Sequence, residues 1–404
     1  MRKITKKYVA HYCVILYISP QNTNNQVIYM LSFLPSTKLE MEMKVLQGLF
    51  VEAYKSLEGI SSEEARYLNR FAFISNIGAS TRIENAVLTD QEIEWVDTTL
   101  SSDGRITAFE EKKEYILDKL SKDRERSVEE VIGCRQVLTT IYMQARELFP
   151  LSETVIRGLH YDLLRYFPEA SGHSGGYKTA PNNVVYHNHE TGEKRVVLDP
   201  APPGIVTETA MSELVRWYNN SIHEHPWPLL VATEFVFRFL AIHPFQDGNG
   251  RLGRALFILC LLHSEDPYLL SITPYLAIDR HIEQSSSLYY SVLHQCSGGK
   301  FEADPGKYHF EPLAWFFART FKSSVADIAF YRRRYEIMQK LSTSALAVLD
   351  CFKSRPEKRL KVGDIVKGIG LPRRTVQYAL KTLTGQNFLQ LLGRGSASRY
   401  QLVF

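Results

Sequence analysis

The chain has 404 residues, of which 45% are hydrophobic and 23% are charged, and its formal net charge at pH 7 is +4. This composition is that of an ordinary soluble protein, and the charge is too small to require an acidic partner for the whole molecule. The length allows two or three domains with a sizeable core. No apolar run approaches the roughly 20 residues of a membrane span, so we expect no membrane partner.

The five cysteines, at positions 13, 134, 260, 296 and 351, are scattered along the chain and form no CxxC pair. This spacing favours neither a zinc site nor a disulfide framework. We therefore expect reduced thiols and a cytoplasmic protein.

The first 36 residues allow three interpretations. Two β-rich runs, YVAHYCVILYI and QVIYMLSF, flank the turn-like SPQNTNN and predict a β-hairpin. The basic start and its short apolar run also resemble a signal peptide, although no clear small-residue cleavage site follows. A start codon placed too early is the third interpretation, since Met30 and Met41 follow. Whether residues 1–36 belong to the native product stays open.

From residue 37 to about 170, apolar residues recur three and four positions apart, which is the period of amphipathic helices. Two long helices are predicted within 37–86, and a third begins at the Thr89–Asp90 cap signal. Further helices are predicted over 105–121, 127–148 and 153–165.

Residues 172–200 break this helical period. Glycine, proline and asparagine pairs separate β-prone runs there, so a hairpin is predicted. Beyond it, residues 226–242 and 255–263 are apolar enough for two buried helices, and the polar stretch HPFQDGNGRLGR (243–254) joins them. So polar a loop between buried helices is a poor core element and indicates an anion site.

The residue types in this loop point to phosphate chemistry. Gly248 and Gly250 allow backbone angles and close approaches that a Cβ would block, and the side-chain amide of Asn249 can donate to an oxyanion. If the second helix begins near Gly250, its N–H groups and its dipole favour a bound phosphate. Arg251 and Arg254 then project from the same side and match phosphate oxygens bidentately.

Two further residues complete this hypothesis. Asp247 is a hard carboxylate suited to Mg²⁺ that is shared with substrate phosphates. His243 has the side chain whose unperturbed pKa, about 6.5, suits a general base near neutral pH. The loop therefore predicts nucleotide-dependent group transfer.

HPFQDGNGRLGR resembles, without a mismatch, the signature H-x-F-x-D/E-G-N-G-R-x-x-R of the Fic family. The resemblance implies transfer of AMP from ATP to a hydroxyl side chain of a target protein. By position, His243 would take the proton of that hydroxyl, Phe245 would anchor the loop in the core and Asp247 would bind Mg²⁺. The ATP phosphates would be bound by Gly248, Asn249, Gly250, Arg251, Gly253 and Arg254.

The stretch Ser80-Thr-Arg-Ile-Glu84-Asn85 resembles the family's inhibitory motif, S/T-x-x-x-E-G/N. Its place upstream of the signature is that of the class with an N-terminal inhibitory helix. By itself, the stretch is a helix end with a carboxylate, which a solvated glutamate also explains. The resemblance implies that Glu84 forms a salt bridge with Arg254 and denies that arginine to the γ-phosphate of ATP.

The hairpin predicted over 172–200 resembles the flap of Fic proteins, which holds a target peptide by strand addition. Tyr177, Lys178 and Val184 are the flap positions that this resemblance implies. Strand addition uses backbone hydrogen bonds, so the choice of target would depend on other surfaces.

A helix predicted over 275–299 resembles the family's adenine-pocket segment through Tyr289, Tyr290 and Leu293. On spacing alone, the tyrosine pair also fits an ordinary core. Family members often have an asparagine where this chain has Ser297, which affects the details of base recognition. A long amphipathic helix is predicted next, over 311–341.

Residues 342–404 predict a helix, a helix–turn–helix and a β-wing, and so resemble a winged-helix domain. The segment is basic through Arg373, Arg374, Lys381, Arg394 and Arg399. Such a domain would bind DNA or, alternatively, serve as a protein-docking or dimer module, because a fold does not fix a function.

The sequence thus predicts a mainly α protein: a Fic-fold helical bundle with a β-hairpin flap and a small C-terminal winged helix-turn-helix domain. The expected division is an N-terminal extension at 1–36, a helical region with the inhibitory motif at 37–170, a catalytic core with flap and connector helix at 171–341 and the winged helix at 342–404.

The expected function is that of an autoinhibited, Mg²⁺-dependent protein adenylyltransferase whose partners are ATP and a target protein. Removal of AMP from a modified protein is one alternative. The other is a nucleotide-sensing transcriptional regulator that binds DNA through 342–404. Formation of a homodimer is a family tendency that the resemblance adds.

Overall fold

The computed structural model describes residues 31–101, 108–187, 194–355 and 359–403. Within them, the chain is mainly helical with two short antiparallel strand pairs, so the predicted fold class is confirmed. Apart from its last residues, the hairpin predicted within 1–36 lies outside the described part of the chain. In these ranges no helix has both the length and the apolar character that a bilayer span requires.

Helices make up most of the chain before the hairpin. Their bounds are α1 Thr37–Leu57, α2 Ser62–Ile83, α3 Asp90–Leu100, α4 Phe109–Leu120, α5 Glu125–Gln144, α6 Glu153–Leu164 and α7 Pro168–Ser171, with a 3-10 turn at Lys122–Arg124. Ser36 and Ser61 cap α1 and α2 through side-chain oxygens that accept from backbone N–H groups. Thr89 and Glu92 form a reciprocal capping box at the start of α3, as the cap signal predicts.

The hairpin and the helices after it surround the polar loop. Their bounds are β1 Val184–His187, β2 Lys194–Leu198, α8 Ile205–Ser221, α9 Pro228–Ile242, α10 Asn249–Leu262, α11 Pro267–Ile272, α12 Ile278–Gln284, α13 Ser286–Ser297 and α14 Glu311–Gln339. Short 3-10 turns lie at Thr273–Tyr275 and Pro305–Lys307. β1 and β2 pair antiparallel, with an irregular register between Val184 and Val185.

The single helix predicted over 275–299 is wrong, because the chain breaks between α12 and α13. Ser285 lies at the break with φ −122° and ψ 29°. Three serines follow Gln284, and serine side chains compete for the backbone hydrogen bonds that would continue a helix. The break lets α12 pack on α2 while α13 packs on α14 and β2.

α9 and α10 form the centre of the larger apolar core. Every residue of α9 after Pro228 is buried, as expected for a helix that is apolar on all sides. Its two charged residues pair with each other, Arg238 Nη1 donating to Glu234 Oε1 at 3.2 Å. The polar loop is therefore fixed at both ends by buried helices.

A second, smaller apolar cluster lies in the C-terminal part, from Ala345 to Leu402. The bounds there are α15 Thr343–Lys353, α16 Val362–Ile369, α17 Arg373–Gly385, β3 Leu389–Leu392 and β4 Arg399–Leu402, with a 3-10 turn at Gly395–Ala397. Arg334 of α14 joins this cluster to the rest by donating to the carbonyls of Asn387 at 3.2 Å and Val403 at 2.5 Å. The four-part division of the chain stays a prediction.

Candidate active site

A cavity of about 250 Å³ lies between the hairpin, the loop from α9 to α10, and α13. It brings together residues from four separate parts of the sequence. Among the predicted site residues, its wall includes Glu84, Val184, His243, Asp247, Gly248, Asn249, Gly250, Arg254, Tyr289, Tyr290 and Leu293.

His243 ends α9 in the left-handed conformation, with φ 50°. This conformation is uncommon for a residue with a side chain, and here it turns the chain from the helix into the loop. Nδ1 lies 3.3 Å from the carbonyl oxygen of Leu240, so an N–H at Nδ1 leaves Nε2 as the proton acceptor. Burial, and then the charge of Lys178, lowers the pKa of His243 to about 4. The imidazole is therefore neutral at neutral pH.

Lys178 fastens the chain before the hairpin to the loop. It is 3% exposed, and Nζ donates to Asn182 Oδ1 at 3.0 Å and to the carbonyl of Ile242 at 3.1 Å. Its backbone N–H donates to the carbonyl of Pro244 at 2.8 Å. Burial lowers the pKa of Lys178 to about 8. Lys178 is thus a buried anchor beside His243.

The hairpin differs from the prediction in which residues it contains. Val184 begins β1 and lines the cavity, but Tyr177 and Lys178 precede the strand. The hydroxyl of Tyr177 donates to Glu153 Oε2 at 2.7 Å, and its ring packs 5.5 Å from that of Phe245. Tyr177 and Lys178 therefore lie at the base of the hairpin, where their side-chain hydrogen bonds hold them in place.

Asn249 closes the loop on itself. Its Oδ1 accepts from the backbone N–H of Phe245 at 2.9 Å, and its Nδ2 donates to the carbonyl of Phe245 at 2.7 Å. Asn249 is 1% exposed and Phe245 is fully buried. The side-chain amide of Asn249 was expected to donate to an oxyanion, but it is hydrogen-bonded to the backbone of Phe245 instead. Asn249 would therefore meet a ligand in the cavity through its backbone.

His160 of α6 supports the loop, and the sequence reasoning missed it. Its ring stacks on Phe245 with centroids 3.7 Å apart, and Nδ1 accepts from the N–H of Gly175 at 2.9 Å. Nε2 must then carry the proton and donate to the carbonyl of Asp247, 2.9 Å away. Burial lowers the pKa of His160 to about 4. The sequence feature that could have indicated His160 is its position on the apolar face of a predicted helix.

The start of α10 forms a wall of the cavity with a geometry that is suited to an anion. Gly248 caps the helix with φ 78°, a conformation that favours glycine. The first N–H groups of any α-helix lack partners within the helix, and its dipole places partial positive charge there. At Gly250, a Cβ would lie 2.2 Å from Glu84 Oε1, so the close approach of Glu84 depends on glycine.

Asp247 is suited to a hard cation. Its side chain is about half-exposed (47%), and Oδ1 accepts from the N–H of Gly248 at 2.6 Å. Arg251 Nη2 is 3.4 Å from the same oxygen, which is a long contact. A carboxylate of this kind, beside a helix start that favours phosphate, fits the ligand preference of Mg²⁺.

Arg251 and Gly253 of the signature do not belong to the cavity wall. Arg251 is 3% exposed and lies 3.7 Å from Glu130 Oε1, while its Nε and Nη1 have no hydrogen-bond partner among the described residues. At Gly253 a Cβ would lie 3.1 Å from Leu240 Cδ2, so this glycine lets α9 and α10 pack closely. Gly253 thus has a packing role, and its part in phosphate binding stays a prediction.

Arg254 connects the loop to the end of α2. Nη2 donates to Glu84 Oε1 at 2.9 Å and to the carbonyl of Ser80 at 2.8 Å, while Nε donates to Ser80 Oγ at 2.9 Å. Arg254 is 3% exposed, and Glu84 keeps about a third (32%) of its side chain exposed. Asn85, with φ 77°, turns the chain out of the helix after Glu84.

A second carboxylate near Arg254 was not predicted. Asp279, at the start of α12, is 2% exposed, and its N–H donates to Asn76 Oδ1 at 3.0 Å. Burial raises the pKa of Asp279 to about 6, and the charge of Arg254 and a hydrogen bond from Ser80 oppose that shift. Arg254 therefore has two acidic neighbours, one buried and one partly exposed.

The tyrosine pair of α13 forms the apolar end of the cavity. Tyr289 is 2% exposed and packs 5.5 Å from the ring of Phe316. The ring of Tyr290 lies 5.1 Å from that of Tyr186 in β1. Ser297 donates to the carbonyl of Leu293 at 3.2 Å, so its hydroxyl is used within the helix. Tyr289 and Tyr290 therefore pack against neighbouring aromatic rings and also line the cavity.

Known proteins match two parts of the chain. The profile of the Fic/DOC family matches residues 150–261, and that of the IclR helix-turn-helix domain matches residues 344–393. A Fido domain-containing protein of Dictyostelium discoideum is 39% identical over 67 residues, which are 16% of this chain and 47% of that protein. That match thus spans about half of the relative's length.

Two solved structures share the fold. A Fic family protein from Desulfovibrio desulfuricans G20 is 20% identical with a TM-score of 0.53, and the alignment covers 93% of this chain and 98% of that one. A Fic domain-containing signaling protein from Bacteroides thetaiotaomicron VPI-5482 is 22% identical with a TM-score of 0.50, over 72% of this chain and 97% of that one. The chain therefore carries a Fic domain, whose loop lines the cavity, and an IclR-type helix-turn-helix domain.

Proposed function

We propose that the protein is an autoinhibited adenylyltransferase that moves AMP from ATP to a Ser, Thr or Tyr hydroxyl of a target protein. The observation that carries this proposal is the shared cavity, in which the neutral His243 and the start of α10 face one space of about 250 Å³. A proton acceptor beside an anion-binding helix start suits phosphoryl chemistry on a hydroxyl.

In the proposed step, the hydroxyl oxygen of the target attacks the α-phosphorus of ATP. The bond from that phosphorus to the oxygen that bridges to the β-phosphate breaks, and pyrophosphate leaves with the electron pair. His243 takes the proton of the hydroxyl at Nε2, because Nδ1 is turned to the carbonyl of Leu240. Backbone N–H groups at the start of α10 stabilise the charge that develops on the phosphate oxygens.

Asp247 would hold Mg²⁺ at the phosphates, since its half-exposed carboxylate has the right donor chemistry. When bound, the ion neutralises phosphate charge. Arg251 would add positive charge behind the loop, since it is buried and its Nη2 lies 3.4 Å from Asp247 Oδ1. Tyr289, Tyr290 and Leu293 would receive the adenine, and a target backbone would add to β1 of the flap.

Glu84 would keep the resting enzyme inactive. Its 2.9 Å ion pair with Arg254 uses the guanidinium that would otherwise bind the γ-phosphate. A carboxylate and a phosphate compete for the same donors, so ATP would bind in a non-productive position while the pair is intact.

The function is tested with ATP labelled at different phosphates. With Mg²⁺ present, label at the α-phosphate should become covalently attached to protein, on the enzyme itself or on a target in a cell lysate. Label at the γ-phosphate should not, because it leaves in pyrophosphate. Attachment of the γ-label would instead indicate a kinase, and release of AMP from a pre-modified protein without any transfer would favour the hydrolytic direction.

A second function, DNA binding, is favoured by the exposed face of α17. Positions 373, 374, 377, 378 and 381 lie on one side of that helix and are all exposed. Three of them are basic, and Tyr378 is 72% exposed. Gly370, with φ 68°, forms the turn before this helix. An exposed basic helix after such a turn is suited to the major groove of DNA.

The double substitution Arg373→Ala and Arg374→Ala is expected to weaken binding to duplex DNA at every salt concentration. Each lost phosphate contact should lower the slope of log affinity against log salt by about 0.9. Fluorescence anisotropy with a labelled duplex measures both quantities. Lys44→Ala, an exposed lysine of α1, is the matched control. Binding that does not respond to the double substitution would contradict DNA recognition by α17.

A further inference from the structure

The turn that carries Glu84 is held on its inner side by contacts that include the ion pair of Glu84 with Arg254 and a 3.2 Å hydrogen bond from the N–H of Val87 to Ser127 Oγ. α2 ends at Ile83, Glu84 is its C-cap, and Asn85 leaves the helix with φ 77°. Glu84 Oε1 accepts from Arg254 Nη2 at 2.9 Å while the side chain stays 32% exposed. A partly exposed carboxylate whose hydrogen bond within the described ranges goes to one arginine can leave that arginine after a small movement of the turn.

Arg82 holds the outer side of the same turn. Its Nε and Nη2 donate to the two carboxylate oxygens of Glu283 in α12, at 2.6 and 2.9 Å. Its Nη1 donates to Asp90 Oδ1 at 2.7 Å and to the carbonyl of Leu88 at 3.1 Å. One guanidinium thus ties the end of α2 to α12 through a two-nitrogen fork on Glu283 and to the start of α3 through Nη1.

Residues two apart on a helix are separated by about 200° around its axis, so Arg82 and Glu84 point to opposite sides. The segment 83–89, which contains Glu84, is closed by the contact of Arg82 with Asp90. We propose that Arg82 is a positioning residue that fixes this turn so that Glu84 reaches Arg254. The inference rests on the proposed inhibitory role of Glu84.

The surroundings of Arg82 make its loss disruptive for this turn in particular. Burial, and more weakly the charge of Glu283, raises the pKa of Asp90, whereas Arg82 opposes both effects. Without Arg82, the two carboxylates would face each other with only the weaker influence of Arg280 on Asp90 to offset their charges. They would move apart, and the end of α2 would lose its attachment to α12 and α3.

Nucleotide selectivity tests the inference without a target protein. While Glu84 occupies Arg254, the γ-phosphate finds no partner there, so the wild-type protein should bind MgATP and MgADP with similar affinity. Arg82→Ala should raise the preference for ATP by about tenfold, because a charge-assisted hydrogen bond to the γ-phosphate becomes available. Calorimetric titration of the full chain with each nucleotide measures the ratio of dissociation constants.

A double variant separates positioning from a general structural role. Glu84→Gly should raise the ATP preference at least as much as Arg82→Ala, and the combination should gain nothing beyond Glu84→Gly, because a positioning residue acts only through Glu84. Arg82→Lys, which keeps the charge without the fork, should lie between wild type and Arg82→Ala.

Arg70→Ala is the matched control. Arg70 also lies on α2 and pairs with α3, its Nη1 3.1 Å from Asp97 Oδ2, but it is about four turns before Glu84. The Arg70→Ala variant should keep the wild-type ratio of affinities for MgATP and MgADP. Glu283→Gln weakens the contact between Arg82 and Glu283 from the other side and should have the same effect on the ATP preference as Arg82→Ala. This second variant tests the inference even if Arg82→Ala folds poorly.

The outcomes distinguish the positioning role of Arg82 from the inhibitory role of Glu84. If Glu84→Gly raises the ATP preference while Arg82→Ala and Glu283→Gln leave it at the wild-type value, Glu84 holds its place unaided and the inference is overturned. Additive effects in the double variant would also overturn it. If Glu84→Gly itself changes nothing, the inhibitory role of Glu84 fails, whatever Arg82→Ala does.

Discussion

Replacing Glu84 with glycine is expected to raise AMP transfer at least about tenfold above the wild-type protein. The substitution removes the carboxylate that accepts from Arg254 Nη2 at 2.9 Å and leaves that guanidinium available to the γ-phosphate. A hydrogen bond between charged groups contributes about 1.5–3 kcal/mol, which corresponds to a factor between about ten and a hundred. Incorporation of label from α-labelled ATP into protein measures the effect.

Glu58→Gly is the matched control for this substitution. Glu58 is the C-cap of α1 as Glu84 is the C-cap of α2, and it is exposed at a distance from the cavity wall. A glycine there introduces the same backbone freedom without touching Arg254. Transfer should stay at the wild-type level in this control. Equal transfer by wild type and Glu84→Gly would contradict autoinhibition.

The loop between α9 and α10 could be predicted from the sequence because its chemistry is local. His243, Asp247 and the glycines between them lie within a few residues, and the apolar runs on both sides require that the loop be held by buried helices. The start of α10 at Asn249 follows from Gly248, which stops α10 from extending backwards. No long-range contact was needed for this part of the site.

The directions of individual side chains could not be predicted, because packing decides them. Asn249, Arg251 and Gly253 have the residue types of a phosphate site. In the structure, however, the Asn249 side chain hydrogen-bonds to Phe245, and Arg251 lies near Glu130. Gly253 packs closely against α9. The spacing of residues on a helix gives their relative angles but not which face the core occupies. That choice depends on neighbours far away in sequence.

The supporting residues were missed for the same reason. His160 and Asp279 reach the site from α6 and α12, and neither has a sequence neighbour that marks it as functional. A histidine on an apolar helix face is usually a core residue. His160 is a core residue because its ring stacks on Phe245, and it also donates a hydrogen bond to the loop. The pairing of Glu84 with Arg254 also spans 170 positions, and only the resemblance to a family predicted it.

Replacing His243 with alanine is expected to lower AMP transfer by about a thousandfold, within the range that general-base catalysis contributes. The substitution removes the Nε2 that would accept the proton of the target hydroxyl but leaves the start of α10 and Arg254 in place. It is best measured in the Glu84→Gly background, where the activity is highest. MgATP should still bind with an affinity within a few-fold of the parent, because His243 acts on the hydroxyl and not on the phosphates.

The pH dependence identifies His243 as the base more directly than the loss of activity does. Burial and the charge of Lys178 disfavour the protonated imidazole and lower its pKa to about 4, so the base form persists from neutral pH down to about pH 5. In Glu84→Gly, kcat/KM should therefore stay level from pH 8 to about pH 5 and fall only as the pH approaches 4. His173→Ala, which changes an exposed histidine, should give the same profile. A fall centred near the unperturbed value of 6.5 would mean that the base is a solvated group rather than the enclosed His243.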